Sequence, residues 1–191
     1  MSTTRTFIAI PATDEVYARA FAAIDELRPL TDNVRWVAPD TLHWTLQFLG
    51  DVDDVTLYSI CRDVGRVCEE FEVFEFDALA VSAFPSIEKP RTLWLGAGEG
   101  REILCRLQDG IEARMAKLGH RPDRQRFVPH LTIGRVQQGR HAGDAVVERL
   151  TNMTDFDGGR MAVDEVIVYG SELSREGPTY HVIGRGPLAV G

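Results

Sequence analysis

Residues 42–50 read Leu-His-Trp-Thr-Leu-Gln-Phe-Leu-Gly, and residues 127–135 read Phe-Val-Pro-His-Leu-Thr-Ile-Gly-Arg. Both carry His-x-Thr followed by an apolar residue inside a stretch whose polar and apolar side chains alternate. Alternation with a period of two is the mark of a half-buried strand, in which residues two apart share a face. His43 therefore shares a face with Thr45, and His130 with Thr132. Trp44, Leu46, Leu131 and Ile133 point the other way, into apolar packing. Each strand presents an imidazole and a hydroxyl to one surface and anchors itself by the other.

The two motifs lie 87 residues apart, and Arg5-Thr6 followed by three apolar residues recurs as Arg91-Thr92 at an offset of 86. Two strand-helix-strand halves related by duplication account for both offsets. Coincidence between two strand starts is the competing explanation.

Outward from these stretches, Arg5–Ile10 predicts a strand closed by Pro11, and Thr13 predicts a cap for a helix that buries Val16, Ala20, Ala23 or Ile24, and Leu27. Leu42–Leu49 is a strand stopped by Gly50. A helix over about 53–70 follows, with Val55, Ile60, Val64, Val67 and Phe71 as its apolar contacts and Cys61 and Cys68 on one face. Strands are expected over 71–81 and 91–95, then a helix in which Ile103 or Leu104, Leu107, Ile111, Met115 and Leu118 recur at three- and four-residue steps. The remainder reads as a strand over 127–136, a short helix near 144–150, and closing strands over 163–169 and 180–183.

Composition limits the functional classes. The 191 residues are 44% hydrophobic and 26% charged, which excludes collagen, coiled coil and wholesale disorder. No apolar run reaches the roughly 18 residues of a membrane span, and residues 1–5 lack a basic stretch leading into an apolar one, so a soluble, unexported protein is expected. A formal charge of −8 opposes binding nucleic acid through a broad positive surface. Three cysteines without a C-x-x-C pairing argue against a disulfide framework or a zinc knuckle.

Two histidines and two threonines converging on one cleft suit phosphodiester chemistry. A base takes a proton from the attacking oxygen, an acid returns one to the departing oxygen, and the hydroxyls donate to the non-bridging oxygens. With ordinary pKa values near ~6.5, both protonation states of each imidazole are accessible at neutral pH. This scheme requires no metal or cofactor. A metal reading lacks His-x-x-x-His or Asp-x-His spacing and leaves the threonines unexplained. A non-catalytic RNA- or nucleotide-binding module is the alternative from another class, and it has no need of a matched acid and base. His120, His141 and His181 lack a Thr two residues later.

The sequence resembles the RNA 2′,3′-cyclic phosphodiesterases, the LigT-like or 2′-5′ RNA ligase family of the 2H phosphoesterases. The resemblance runs through Arg5–Ile10, Trp36-Val37, His43–Val52, Phe84-Pro85, Arg91–Gly96 and Phe127–Arg135. It implies one α+β domain over residues 1–191, a bilobal 2H fold with two pseudo-symmetric lobes of antiparallel sheet, helices on the outer faces and a central cleft. It implies that RNA ends or nucleotides bearing a 2′,3′-cyclic phosphate are opened to 2′-phosphomonoesters without metal or ATP, by a cytoplasmic monomer, with reverse 2′-5′ ligation through the same site. The roles it implies are His43 as proton donor to the departing 3′-oxygen, His130 as proton acceptor from water, and Thr45 and Thr132 as phosphate holders. It also implies that Arg135 reaches the phosphate, which in an unbroken strand needs a bulge or bend at Gly134. Relatives place an Arg two residues before the Phe, where this chain has Gln125 flanked by Arg124 and Arg126, so which of the two reaches RNA is open. Arg121, Arg124 and Arg126 read equally as a positive patch or a solvated loop, whereas Phe84 and Phe127 could stack on a terminal base, although an aromatic near a strand is more often core.

Overall fold

The residues flanking each histidine motif extend into strands, and every other element is arranged around them. A computed structural model describes residues 3–38, 41–122, 126–174 and 177–190. Its elements are β1 (Thr3–Pro11), α1 (Asp14–Leu27), a 3-10 turn (Arg28–Leu30), β2 (Val34–Trp36), β3 (His43–Asp53), α2 (Asp54–Cys68) and β4 (Phe74–Phe84). They continue with β5 (Thr92–Ala97), α3 (Arg101–Lys117), β6 (His130–Val136), α4 (Asp144–Thr151), β7 (Asp157–Val163), β8 (Glu165–Ser174) and β9 (Gly177–Pro187).

Among the described residues the strands form one sheet of nine in the order β7-β4-β5-β6-β3-β1-β8-β9, with β2 beside β6. The neighbouring strands are antiparallel. The order is two four-strand runs placed head to head, with β6 mirroring β3 and β5 mirroring β1. The runs interleave in sequence, because β8 and β9 complete the half begun by β1 and β3. At the seam β3 and β6 pair at Trp44 and Leu131.

One apolar core holds the sheet to its helices. Trp44, Leu46, Leu131 and Ile133 are buried together with Val16, Ala20, Ala23, Ile24 and Leu27 of α1 and Leu104, Leu107, Ile111 and Met115 of α3. Each such aliphatic side chain contributes roughly 1.5–3 kcal/mol on burial. α1 packs on β7 and β6, α2 on β9, β8 and α3, and α3 on β3 and β4. Cys61 and Cys68 do share a face, lying so close under β9 that only glycine fits above them at Gly184 and Gly186. Burial pushes the Cys68 thiol up to about 12, which makes it an inert packing group. Among the described residues no helix is long and apolar enough to cross a membrane.

Several expectations need correction. Gly50 does not stop β3; it adopts φ +75° beside a bulge, and the strand runs on to Asp53, whose carboxylate caps α2 through the Val55 and Thr56 amides. Thr13 occupies the first cap position of α1 but makes no side-chain capping bond. Val55 is 80% exposed, and Leu57 takes the buried place expected for it. The strand expected over 71–81 starts and ends about three residues later, and residues 127–129 lie outside β6. β7 is absent from the sequence expectation because Asp157-Gly158-Gly159-Arg160 carries no alternating apolar signal; there Gly158 lies against Leu95 and Ala78, where a Cβ would collide.

Candidate active site

His43 and His130 open β3 and β6 on either side of the seam. The same local geometry orients both rings. His43 Nδ1 lies 2.6 Å from the carbonyl oxygen of Thr41, and His130 Nδ1 lies 2.8 Å from that of Val128, in each case two residues upstream. A carbonyl only accepts, so Nδ1 carries the proton in both rings and Nε2 is the free position. Aromatic groups hold the rings from the side. Phe7 lies 4.9 Å from His43 between ring centroids, and Tyr180 meets it edge-on at 5.4 Å. Phe84 meets His130 edge-on at 4.9 Å, and Trp94 lies 6.3 Å away. Phe7 and Trp94 are themselves 87 positions apart, so the duplicated pattern extends to the supports of the histidines.

Neither imidazole keeps an ordinary pKa. Burial lowers His43 to about 4, opposed by the Thr41 carbonyl and reinforced by the charges of Arg135 and His130. His130 is lowered by burial, opposed by the Val128 carbonyl and reinforced by Arg135. The expectation of two groups near 6.5 is therefore corrected: without an anion in the cleft, both are neutral at pH 7. A lowered folded-state pKa means that the unfolded chain binds the proton more tightly. The stability tied to neutral His43 is thus complete above about 6.5 and is lost as pH falls toward 4. NMR titration of the ligand-free protein is expected to show the His43 ring neutral down to at least pH 5; a midpoint at 6.5 or above would contradict the burial.

The bulge required for Arg135 is present. β5 and β6 slip register between Leu93 and Trp94, which face Gly134 and Thr132, so Ile133 is the extra residue. Ile133 and Gly134 are both buried and Arg135 emerges exposed. It is close enough to influence His43, His130 and Tyr180, and its guanidinium donates to the Thr92 hydroxyl at 3.2 Å. Gly134 is needed there, because a Cβ would come within 2.8 Å of Val34 and 2.9 Å of the Trp36 ring. Thr45 and Thr132 are half-buried on the histidine face, and among the described residues neither hydroxyl has a protein partner.

Beyond the seam β3 and the segment before β6 diverge, leaving a cavity of about 400 Å³. His130, Thr45, Phe84, Phe127, Arg121 and Arg126 reach it, and Gln108 and Glu112 of α3 lie at its floor. The structure thus gathers Arg126, Phe127 and Phe84 around one hollow; Phe127 also packs against the core. Arg124 lies outside the described residues. Among the described residues no group of three or more His, Cys, Asp and Glu is gathered as metal ligands would be.

Two aromatic residues in the cleft went unread in the sequence. The sequence marks Tyr180 only as part of a closing strand. Phe48, 68% exposed, stands 87 positions before Arg135, and that offset was the available signal.

The profile of the 2′-5′ RNA ligase superfamily matches residues 15–174. An RNA 2′,3′-cyclic phosphodiesterase of Methanothermobacter thermautotrophicus is 34% identical over 176 residues, covering 92% of this chain and 94% of the relative. One of Thermotoga maritima is 32% identical, covering 94% of this chain and 92% of the relative. Among solved structures, E. coli LigT complexed with 3′-AMP superposes with a TM-score of 0.79 at 23% identity, covering 98% of this chain and 99% of that one. TT0787 of Thermus thermophilus gives 0.81 at 24%, covering 97% and 98%. At these identities the structural likeness is one of fold.

Proposed function

Because the chain belongs to the 2′-5′ RNA ligase superfamily, we propose that it is an RNA 2′,3′-cyclic phosphodiesterase that opens the ring by acid-base catalysis between His43 and His130. The single observation that carries the mechanism is the matched pair of imidazoles, each with Nδ1 bound to the carbonyl two residues upstream and, among the described residues, Nε2 free.

In this reading the cyclic phosphate lies between the rings. Thr45 and Thr132 donate to its non-bridging oxygens, and the Arg135 guanidinium balances their charge. The Nε2 lone pair of His130 takes a proton as water attacks phosphorus, forming the new P–O bond. The P–O3′ bond breaks, and the 3′-oxygen takes the proton from Nε2 of His43, leaving a 2′-phosphomonoester and a free 3′-hydroxyl. His43 must enter this step protonated, although burial opposes it. The phosphate anion supplies the missing stabilisation of the imidazolium, so the acid is charged mainly when substrate is bound. Reverse 2′-5′ ligation is the same exchange with an RNA hydroxyl in place of water.

The terminal nucleoside extends into the cavity lined by Phe84, Phe127 and Arg126, where apolar rings and a cation suit a base and its sugar-phosphate. Arg124 is a further candidate by its place in the sequence. Both histidines, both threonines and Arg135 come from one chain, which suits a working monomer. Three free cysteines suit a reducing cytoplasm. The test is to incubate the protein with an RNA ending in a 2′,3′-cyclic phosphate in the presence of chelator. A 2′-phosphomonoester is expected. A 3′-phosphate would reverse the acid and base roles, loss of activity with chelator would favour a metal hydrolase, and saturable binding without product would favour a binding module.

A further inference from the structure

The cleft contains a second hollow that hydrolysis of a lone cyclic nucleotide does not use. It measures about 230 Å³ and lies on the His43 side, bounded by Arg5, Phe7, Phe48, Gly50, Ser171 and Tyr180 among others. Phe48 borders both hollows. It stands where the duplicated half carries Arg135, just after the equivalent bulge, so at matched positions one half offers a cation and the other a flat apolar ring. At 68% exposure that ring is left uncovered by the protein, in contact with Phe7 at 5.9 Å between centroids.

Arg5 lies on the same side of the sheet. It pairs in register with Ser171, which pairs in turn with Tyr180, so the three form a row across β1, β8 and β9. The charge of Arg5 is felt at Tyr180, as is that of Arg135. Asp51 faces Arg5 in register, yet among the described residues Arg5 forms no ion pair. In a chain of net charge −8, an unpaired guanidinium beside two hydroxyls and a bare aromatic ring, next to a phosphate site, matches the chemistry of a nucleotide unit.

Resting on the function proposed above, we infer that this hollow is a second nucleotide subsite. It holds the unit adjoining the terminal nucleotide, with a base against Phe48 and the linking phosphodiester at Arg5. The enzyme thus reads an RNA end over two nucleotides. Stacking on one ring and one charge-assisted contact correspond to roughly a tenfold or greater gain in kcat/KM.

The experiment compares a 2′,3′-cyclic mononucleotide with a dinucleotide ending in a 2′,3′-cyclic phosphate, for the unaltered protein and for Arg5→Ala, Phe48→Ala and Phe48→Trp. The unaltered protein is expected to favour the dinucleotide at least tenfold in kcat/KM. Arg5→Ala and Phe48→Ala should each bring that ratio most of the way to one, with Arg5→Ala also flattening its salt dependence, while Phe48→Trp retains it. Using the ratio within each protein cancels any loss of folded material. Equal turnover of both substrates by the unaltered protein, or variants that keep the ratio, would overturn the subsite and leave the phosphodiesterase reading standing. No turnover of either substrate would sink both.

Discussion

Replacing His130 with alanine is expected to lower turnover of an RNA 2′,3′-cyclic phosphate by roughly 10²- to 10⁴-fold, the usual contribution of a positioned acid or base. The ring is half-buried, and removing it frees the carbonyl of Val128, which is itself 44% exposed and can turn to water. The variant should therefore stay folded, so that the loss lies in the chemical step. His43→Ala should lose activity by a similar factor, and the double variant should lose little more than either single one, because acid and base act within one transition state. Single-turnover rates at saturating substrate, with unfolding curves as control, read this out. Activity within tenfold of the unaltered protein in either variant would remove that residue from the reaction.

The largest effect expected on stability comes from Trp44→Ala, at the seam. Trp44 is 1% exposed, pairs with Leu131 across the two halves and meets Phe76 edge-on at 4.9 Å. Truncating a buried tryptophan costs about 3–5 kcal/mol, which for a chain of this length lowers Tm by roughly 10 °C. The indole has one liability, since its buried N–H has no partner among the described residues. Trp44→Phe keeps most of the packing and removes that unsatisfied donor, so it should cost far less than alanine. Urea unfolding of both variants is the measurement. A loss below about 1 kcal/mol for Trp44→Ala would mean that the halves are held elsewhere.

The legible parts of this molecule are those in which a side-chain period reports burial directly. The alternation around His43 and His130 set both strands, the sharing of faces with Thr45 and Thr132, and the inward turn of Trp44 and Leu131. The three- and four-residue steps of α3 marked its buried stripe. What escaped was determined by backbone contacts between distant segments. β7 exists because Gly158 fits against Ala78, and β3 passes Gly50 because the strand beside it accommodates a bulge. The pairing of the two histidines in one cleft was legible from the motif, but its electrostatics were not. The lowered pKa values depend on how deeply the folded chain buries two rings and where Arg135 stands. Phe48 carries no periodic signal as one exposed aromatic in a strand; its meaning comes from its partner position in the other half.

The bulges carry a lesson about insertions and deletions. β3 carries two residues more than β1, at Leu46 and Leu49, and β6 carries one more than β5, at Ile133. Removing Leu46 or Ile133 would restore alternation as far as Phe48 or Arg135 and leave that side chain an even number of steps from its histidine, on the same face but one residue closer to it. Exchanging one aliphatic residue for another at either point leaves the spacing intact. At Leu46 and Ile133 residue number sets how far along the strand Phe48 and Arg135 stand from the histidines, while the face they share is kept.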